Sequence, residues 1–147
     1  GVANRPSGMF IANVDCVGCH LVPKMAESTV PFLGQTFKAS ETACLGCHGE
    51  DYKGVLGEWE DTLKKELEKT RPVVEKVRGL ARTADPSNKE LRKAVQAARD
   101  AEYNYLLVLY GKGVHNVDYA MDVLGKARAD AEAATAVLTG TTASGKP

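Results

Sequence analysis

An excess of charge of either sign is missing from this chain of 147 residues, in which nineteen lysines and arginines balance nineteen aspartates and glutamates. Net charge therefore gives no reason to expect nucleic acid or an acidic membrane surface as a partner. Long apolar runs are missing too. The longest, Tyr105 to Tyr110, is far shorter than the roughly 20 residues a bilayer-crossing helix needs, so no direct membrane span is expected. No charged-then-apolar signal segment opens the chain, which is expected to have lost a signal or to be a piece of something larger. The sequence also lacks a G-x-x-x-x-G-K-[ST] phosphate loop, a helix-opening G-x-G-x-x-G and a nucleophile elbow, the usual sequence marks of nucleotide binding and of serine hydrolases. Cysteine is scarce at four residues and histidine at three. Beside these absences stands an ordinary globular composition, 44% hydrophobic and 26% charged, in a length that suits one domain.

The scarce residues are concentrated. All four cysteines and two of the three histidines fall in two copies of one pentapeptide, CVGCH at Cys16 to His20 and CLGCH at Cys44 to His48. Two thiols separated by two residues lie close enough to form thioethers with the two vinyl groups of one haem. The histidine that follows can reach the iron from the proximal side, so each copy reads as a covalent c-type haem socket. The competing reading is a zinc ribbon, which also uses C-x2-C twice. Zinc needs no histidine after each pair, and the 24 residues between Cys19 and Cys44 exceed the usual ribbon gap. Disulfides or redox dithiols are the remaining alternatives. The expected cofactors are two covalently bound haems c, on Cys16, Cys19 and His20 and on Cys44, Cys47 and His48.

The pattern changes near Glu50. Residues 1–50 show little helical periodicity and read as a loop-rich haem-attachment region. From Asp51 apolar residues recur at three- and four-residue steps, through Leu56, Trp59, Leu63, Leu67, Val74, Val77 and Ala81, as in a long amphipathic helix. Pro72 predicts a kink or break near Thr70 to Arg71. Asp85 predicts the cap of a second helix with Pro86 in its first position. The expected apolar stripe of that helix is Leu91, Val95, Ala98, Tyr105, Leu106 and Leu109, and Gly111 to Gly113 is suited to a left-handed cap. A third helix starts at Asn116 and carries Tyr119, Ala120, Val123, Leu124, Ala127, Ala131 and Ala134. The fold class expected is mainly α: a loop-rich dihaem-binding region followed by an antiparallel bundle of about three long helices over 51–139, with a frayed tail at 140–147. The whole reads as a single dihaem cytochrome c domain. Trp59 and the tyrosines are expected in the core, and KKELEK and RKAVQAAR on solvated helix faces.

With its two sockets, the chain resembles the multihaem c-type cytochromes. A second segment, GKGVHNVDYAMDVL at Gly111 to Leu124, is similar to the glycine, His-Asn, then Tyr-Ala segment near the C-terminal helices of cytochrome c nitrite reductases and related proteins. In those proteins the histidine is a distal haem ligand, so the resemblance implies that role for His115. Helix lengths point the same way. Asp51 to Arg82 and Pro86 to Tyr110 differ by about seven residues, or ~10 Å, which a flexible GKGVH loop can cover in returning toward the haem end. Nitrite reductases carry more haems and one lysine in place of a proximal histidine. This chain has neither, and nitrite reduction is not among the expectations.

Two six-coordinate haems need four axial ligands, and three histidines supply at most three. The fourth position falls to Met9 first, as a residue outside regular structure beside the first socket, and to Met25 second. Another group, a residue of a second chain or an open position are the alternatives, and Met121 is assigned to the core. Histidine pairs give low potentials and methionine raises them, so mixed ligation makes the haems unequal and suits directional electron transfer. The expected function is an electron carrier between redox protein partners, outside the cytoplasmic membrane of a prokaryote, in periplasm or at the cell surface. The alternative is a haem enzyme or a gas or redox sensor with one open iron. Homo-oligomers, or a place in a larger multihaem assembly as one link of a longer wire, fit the same sequence. Haem propionates make the loaded protein acidic, so partners are expected to present positive charge near the haem edges.

Overall fold

The computed structural model describes residues 1–24, 36–85 and 87–140. They divide into two compact units, Pro6–Glu60, and Gly1–Arg5 together with Asp61–Pro147.

The first unit is built from short pieces. Helix α1, Gly8–Ile11, is one turn capped by Ser7, whose Oγ accepts from the Phe10 N–H at 3.1 Å. Helix α2, Cys16–Cys19, is a second single turn, with Asp15 as its cap. Strand β1, His20–Lys24, pairs antiparallel with β2, Thr36–Ala39, in the register His20 to Ala39 and Pro23 to Phe37, with an irregularity between His20 and Val22. This small sheet stands where loops and turns were expected. Helix α3, Glu41–His48, follows a Ser40 cap, and a 3₁₀ turn at Glu50–Tyr52 leads to the long helices. None of the described residues of this unit is buried.

The second unit is the helical bundle. Helix α4, Val55–Thr83, begins in the first unit and supplies Leu63, Glu66, Thr70, Val74 and Val77 to the buried interior. It runs through Pro72 without interruption, so of the kink or break expected near Thr70 to Arg71 the break is not there. Proline forfeits one helical hydrogen bond, and buried residues on both sides of it hold the backbone in register. Thr70 also bonds the Glu66 carbonyl at 2.8 Å.

Helix α5, Lys89–Gly111, starts later than expected. Asp85 closes a turn instead, accepting from the Ser87 N–H at 2.8 Å, which holds its carboxyl below the usual range. Asn88 then takes the place before the first helical residue and accepts from the Leu91 N–H at 3.4 Å. Pro86 lies outside the described residues. The left-handed residue after α5 is Lys112, with φ 53°, and not a glycine. Gly113 is needed for space: a Cβ there would stand 2.7 Å from the Ala120 Cβ and 3.0 Å from Val108 Cγ1. A 3₁₀ turn, Gly113–Asn116, leads into α6, Val117–Leu138, which starts where the Asn116 cap predicts.

The core has two centres. Val74 and Val77 pack with Ala94, Ala98, Ala101, Ala131 and Ala134. Leu63, Val108, Ala120, Val123 and Leu124 form the other centre, and Tyr105 touches both. The α6 stripe is the expected one, with Tyr119 half-buried. On α5 the buried positions are Ala94, Ala98, Ala101 and Val108. The larger Leu91, Val95, Leu106 and Leu109 are half-buried. Helices α5 and α6 are in extensive contact, and alanines between them permit that approach. Tyr103 and Tyr110, expected in the core, are exposed. Each lies two residues, or about 200°, round the helix from a buried neighbour, Ala101 and Val108. Glu66, on a segment expected to face solvent, is buried and accepts from Lys69 and from Arg128, whose guanidinium also reaches Thr70 Oγ1 at 3.0 Å. Residues 141–147 of the expected frayed tail lie outside the described residues.

Candidate functional site

Each pentapeptide is laid on helical backbone. Asp15 accepts from the Cys16 N–H at 2.6 Å and starts the single turn of α2. Positions three apart on a helix are neighbours on one face, so one turn is enough to pair Cys16 with Cys19. The chain then leaves the helix for β1 at His20, whose Nδ1 lies 2.8 Å from the Phe37 carbonyl oxygen. A carbonyl can only accept, so Nδ1 carries the proton and the lone pair belongs to Nε2. A hydrogen bond of this kind fixes the ring and raises the basicity of a metal-binding imidazole. A Cβ at Gly18, between the cysteines, would crowd Val14 Cγ1 at 3.0 Å, and that exposed side chain would have to give way.

The second copy closes α3. Cys44 and Cys47 lie in its last turns, His48 is the final residue, and Gly49, at φ 74°, terminates the helix with its N–H on the Leu45 carbonyl at 2.9 Å. The His48 ring is held by an aromatic surface: it stacks on Tyr52 with centroids 4.0 Å apart and planes 15° from parallel. Glu41, at the start of α3, accepts from the Gly54 N–H and ties that helix to the chain beyond the 3₁₀ turn.

The two sockets are adjacent within the first unit. The Ser40 N–H donates to the Cys19 carbonyl at 3.0 Å, and His20 is paired with Ala39 across the sheet. The Cys44 thiol is pushed up, first by burial and then by the charge on Cys19. None of the four cysteines is in a disulfide. Among the described residues no three histidine, cysteine or acidic side chains converge as a metal cluster.

The surroundings fit a porphyrin. Phe10, Ile11, Val14, Val17, Leu21, Val22 and Phe37 are large apolar side chains with 41% to 76% of their surface exposed, all within the unit that carries the sockets. Paired thiols on a helical turn, a following imidazole with a fixed tautomer and an apolar rim are the parts a covalently held haem requires.

His115 belongs to the helical unit. It is exposed on the 3₁₀ turn, with Nδ1 3.0 Å from the Lys112 carbonyl oxygen, which again puts the ring proton on Nδ1. Met9 lies in α1, half-buried, and so within a helical turn and not outside regular structure as expected. Met25 lies outside the described residues. Met121 packs against the core around Leu124, as expected. Two contributors have no sequence motif. Phe37 acts through its backbone carbonyl, seventeen positions from His20, and no side-chain pattern announces that. Tyr52 follows His48 by four residues, a spacing that could have drawn notice.

The family model for cytochrome c552 matches residues 8–145. The chain belongs to the cytochrome c552 family. No curated protein and no solved structure matches it. Cytochromes of the c type hold haem covalently and transfer electrons, and the fit of both pentapeptides accords with membership. In this cytochrome c552 family member no described helix is long and apolar enough to cross a membrane.

Proposed function

We propose that residues 1–147 act as a dihaem electron carrier. Cys16 and Cys19 hold one haem by thioethers, with His20 as its proximal ligand, and Cys44, Cys47 and His48 hold the second in the same way. His115 is a distal ligand to one iron, in keeping with the likeness of its segment to those of nitrite reductases, and Met9 is the first choice for another distal position. The carrier works between redox proteins outside the cytoplasmic membrane, where cytochromes of this family typically reside.

The observation that carries this reading is the adjacency of the two sockets within one unit, through the Ser40 to Cys19 hydrogen bond and the β1 to β2 pairing. Haem supplies a one-electron iron couple when bound. The protein's residues fix its surroundings: Phe37 and Tyr52 orient the two imidazoles, and the exposed apolar side chains shield the porphyrin faces from water. Two centres held side by side suit electron passage from one to the other without bond making.

The test is a haem count with a spectroscopic check on the irons. Pyridine haemochrome absorbance should give two haems per chain, and one per chain would overturn the dihaem reading. The ferrous spectrum should not change on mixing with carbon monoxide, whose binding must wait on slow detachment of a distal ligand, whereas a Soret band shifted at once would mark an open iron and replace the carrier with an enzyme or sensor. His115→Ala should turn one haem high-spin and responsive to the gas. If both haems stayed low-spin, His115 would not be a ligand.

A further inference from the structure

The turn that carries His115 is fixed from several sides. Lys112 takes a left-handed conformation, at φ 53°, that a non-glycine residue adopts only at a cost. Gly113 sits so close to Ala120 and Val108 that only a residue without a side chain fits. The His115 ring and its backbone N–H are both directed at one oxygen, the Lys112 carbonyl, at 3.0 and 3.3 Å. Strain of this kind persists only where the surroundings hold it in place.

Asn116 provides the next hold, and its amide does two different things. Its Oδ1 accepts from the Tyr119 N–H at 3.3 Å, which caps α6. Its Nδ2 donates to the Arg5 carbonyl oxygen at 2.6 Å, across 111 positions of sequence. A helix cap needs only the first. Arg5 is in turn fastened to α6 by its guanidinium, 3.6 Å from Asp118 and 3.2 Å from Asp122. Val2 packs against the core around Leu63 and Leu124. Gly1–Arg5 thus belongs to the helical unit although the residues that follow it belong to the other.

We infer that Gly1–Arg5 and the Asn116 amide form a clamp that positions His115, keeping its imidazole in one orientation and slowing its release from iron. The inference rests on the reading of His115 as an axial ligand. Arg5 and Asn116 are positioning residues; neither is assigned to the haem.

Carbon monoxide can take a six-coordinate ferrous iron only after the distal ligand leaves, so its binding rate reports the detached fraction. Asn116→Asp keeps a good cap acceptor and removes the donor to Arg5. Loss of one hydrogen bond, with a carboxylate left facing a carbonyl, should raise the rate about five- to tenfold. Arg5→Glu turns two attractions into repulsions. Exposed ion pairs are weak, and the expected rise is about two- to threefold, with Arg5→Lys near the parent rate. Far-UV circular dichroism at the parent value shows that α6 is intact, and Arg5→Glu, which touches no cap, carries the test if Asn116→Asp unfolds. Parent rates in both variants, with His115→Ala still opening one iron, would overturn the clamp and leave the ligand reading standing. No response in His115→Ala would remove the ligand reading and the clamp with it.

Discussion

The two units solve the problem of staying folded in different ways. Every buried side chain among the described residues lies at or beyond Leu63, in the helical unit, whereas Pro6–Glu60 buries none and carries seven of the ten exposed large hydrophobics. Burial of apolar surface, at roughly 25 cal/mol per Å², is the main favourable term in folding. The helical unit has that term in its own side chains. The socket unit has capped single turns, a two-stranded sheet too small for independent stability, and apolar side chains placed on the outside. Its apolar partner is proposed to be the porphyrin, and covalent attachment at Cys16, Cys19, Cys44 and Cys47 would make that partner permanent. The lesson is that a segment without a core can still have a definite structure when its motif specifies the group that completes it.

The comparison is broken most directly by preventing attachment. Serine at all four cysteines should leave the helical unit folded and strip the socket unit of stable structure. Amide hydrogen exchange reads both at once: protection should survive around Val74, Ala98 and Leu124 and fall to near zero in α2, β1 and α3. Equal loss in the two units would mean that one cooperative fold spans the chain and that the contrast in burial is misleading.

A smaller effect sharpens the contrast from the other side. Leu124 is fully buried and Phe37 is 51% exposed. Leu124→Ala should cost about 2–5 kcal/mol in denaturant unfolding of the helical unit, whether or not haem is attached. Phe37→Ala should cost no more than about 1 kcal/mol in the four-serine protein and distinctly more in the haem-bearing one, where its ring has porphyrin to cover. A Phe37 cost independent of haem would place the porphyrin elsewhere.

The same contrast explains what could be read in the sequence. The two pentapeptides stand out in the sequence because covalent attachment would dictate residue types at fixed spacing, and α6 was legible because its apolar stripe and the Asn116 start agree. The α5 stripe was read in part: Ala98 is buried and Tyr105 packs on the core as expected, and Leu91, Val95, Leu106 and Leu109 are half-buried, while the approach to α6 puts Ala94 and Ala101 deepest. Pro72 does not break α4, because one missing hydrogen bond is outweighed inside a helix with buried residues on both sides of it. Long-range holds were invisible: nothing local in the sequence joins Phe37 to His20, Arg5 to Asn116, or Arg128 to Glu66.

That last pair supplies the smallest effect and a pH signature. Burial alone would raise the Glu66 carboxyl, but the hydrogen bond and charge of Arg128, with Lys69 behind them, outweigh it and bring the pKa below its ordinary value of 4.5. A carboxylate lowered on folding stabilises fully above its unfolded pKa, and that stabilisation is lost as pH falls through the folded value. The helical unit should therefore lose stability as pH drops below about 4.5. Glu66→Gln removes the charge and with it this part of the acid dependence. Unfolding curves for the two proteins between neutral and strongly acid pH should be farthest apart near neutrality and converge in acid, where the parent's Glu66 is also uncharged. A constant separation at every pH would mean that Arg128 holds Glu66 by shape and hydrogen bonding, with charge contributing nothing to the fold. The socket unit offers no comparable buried ion pair among its described residues. Acid below pH 4.5 should thus act on the helical unit through this pair.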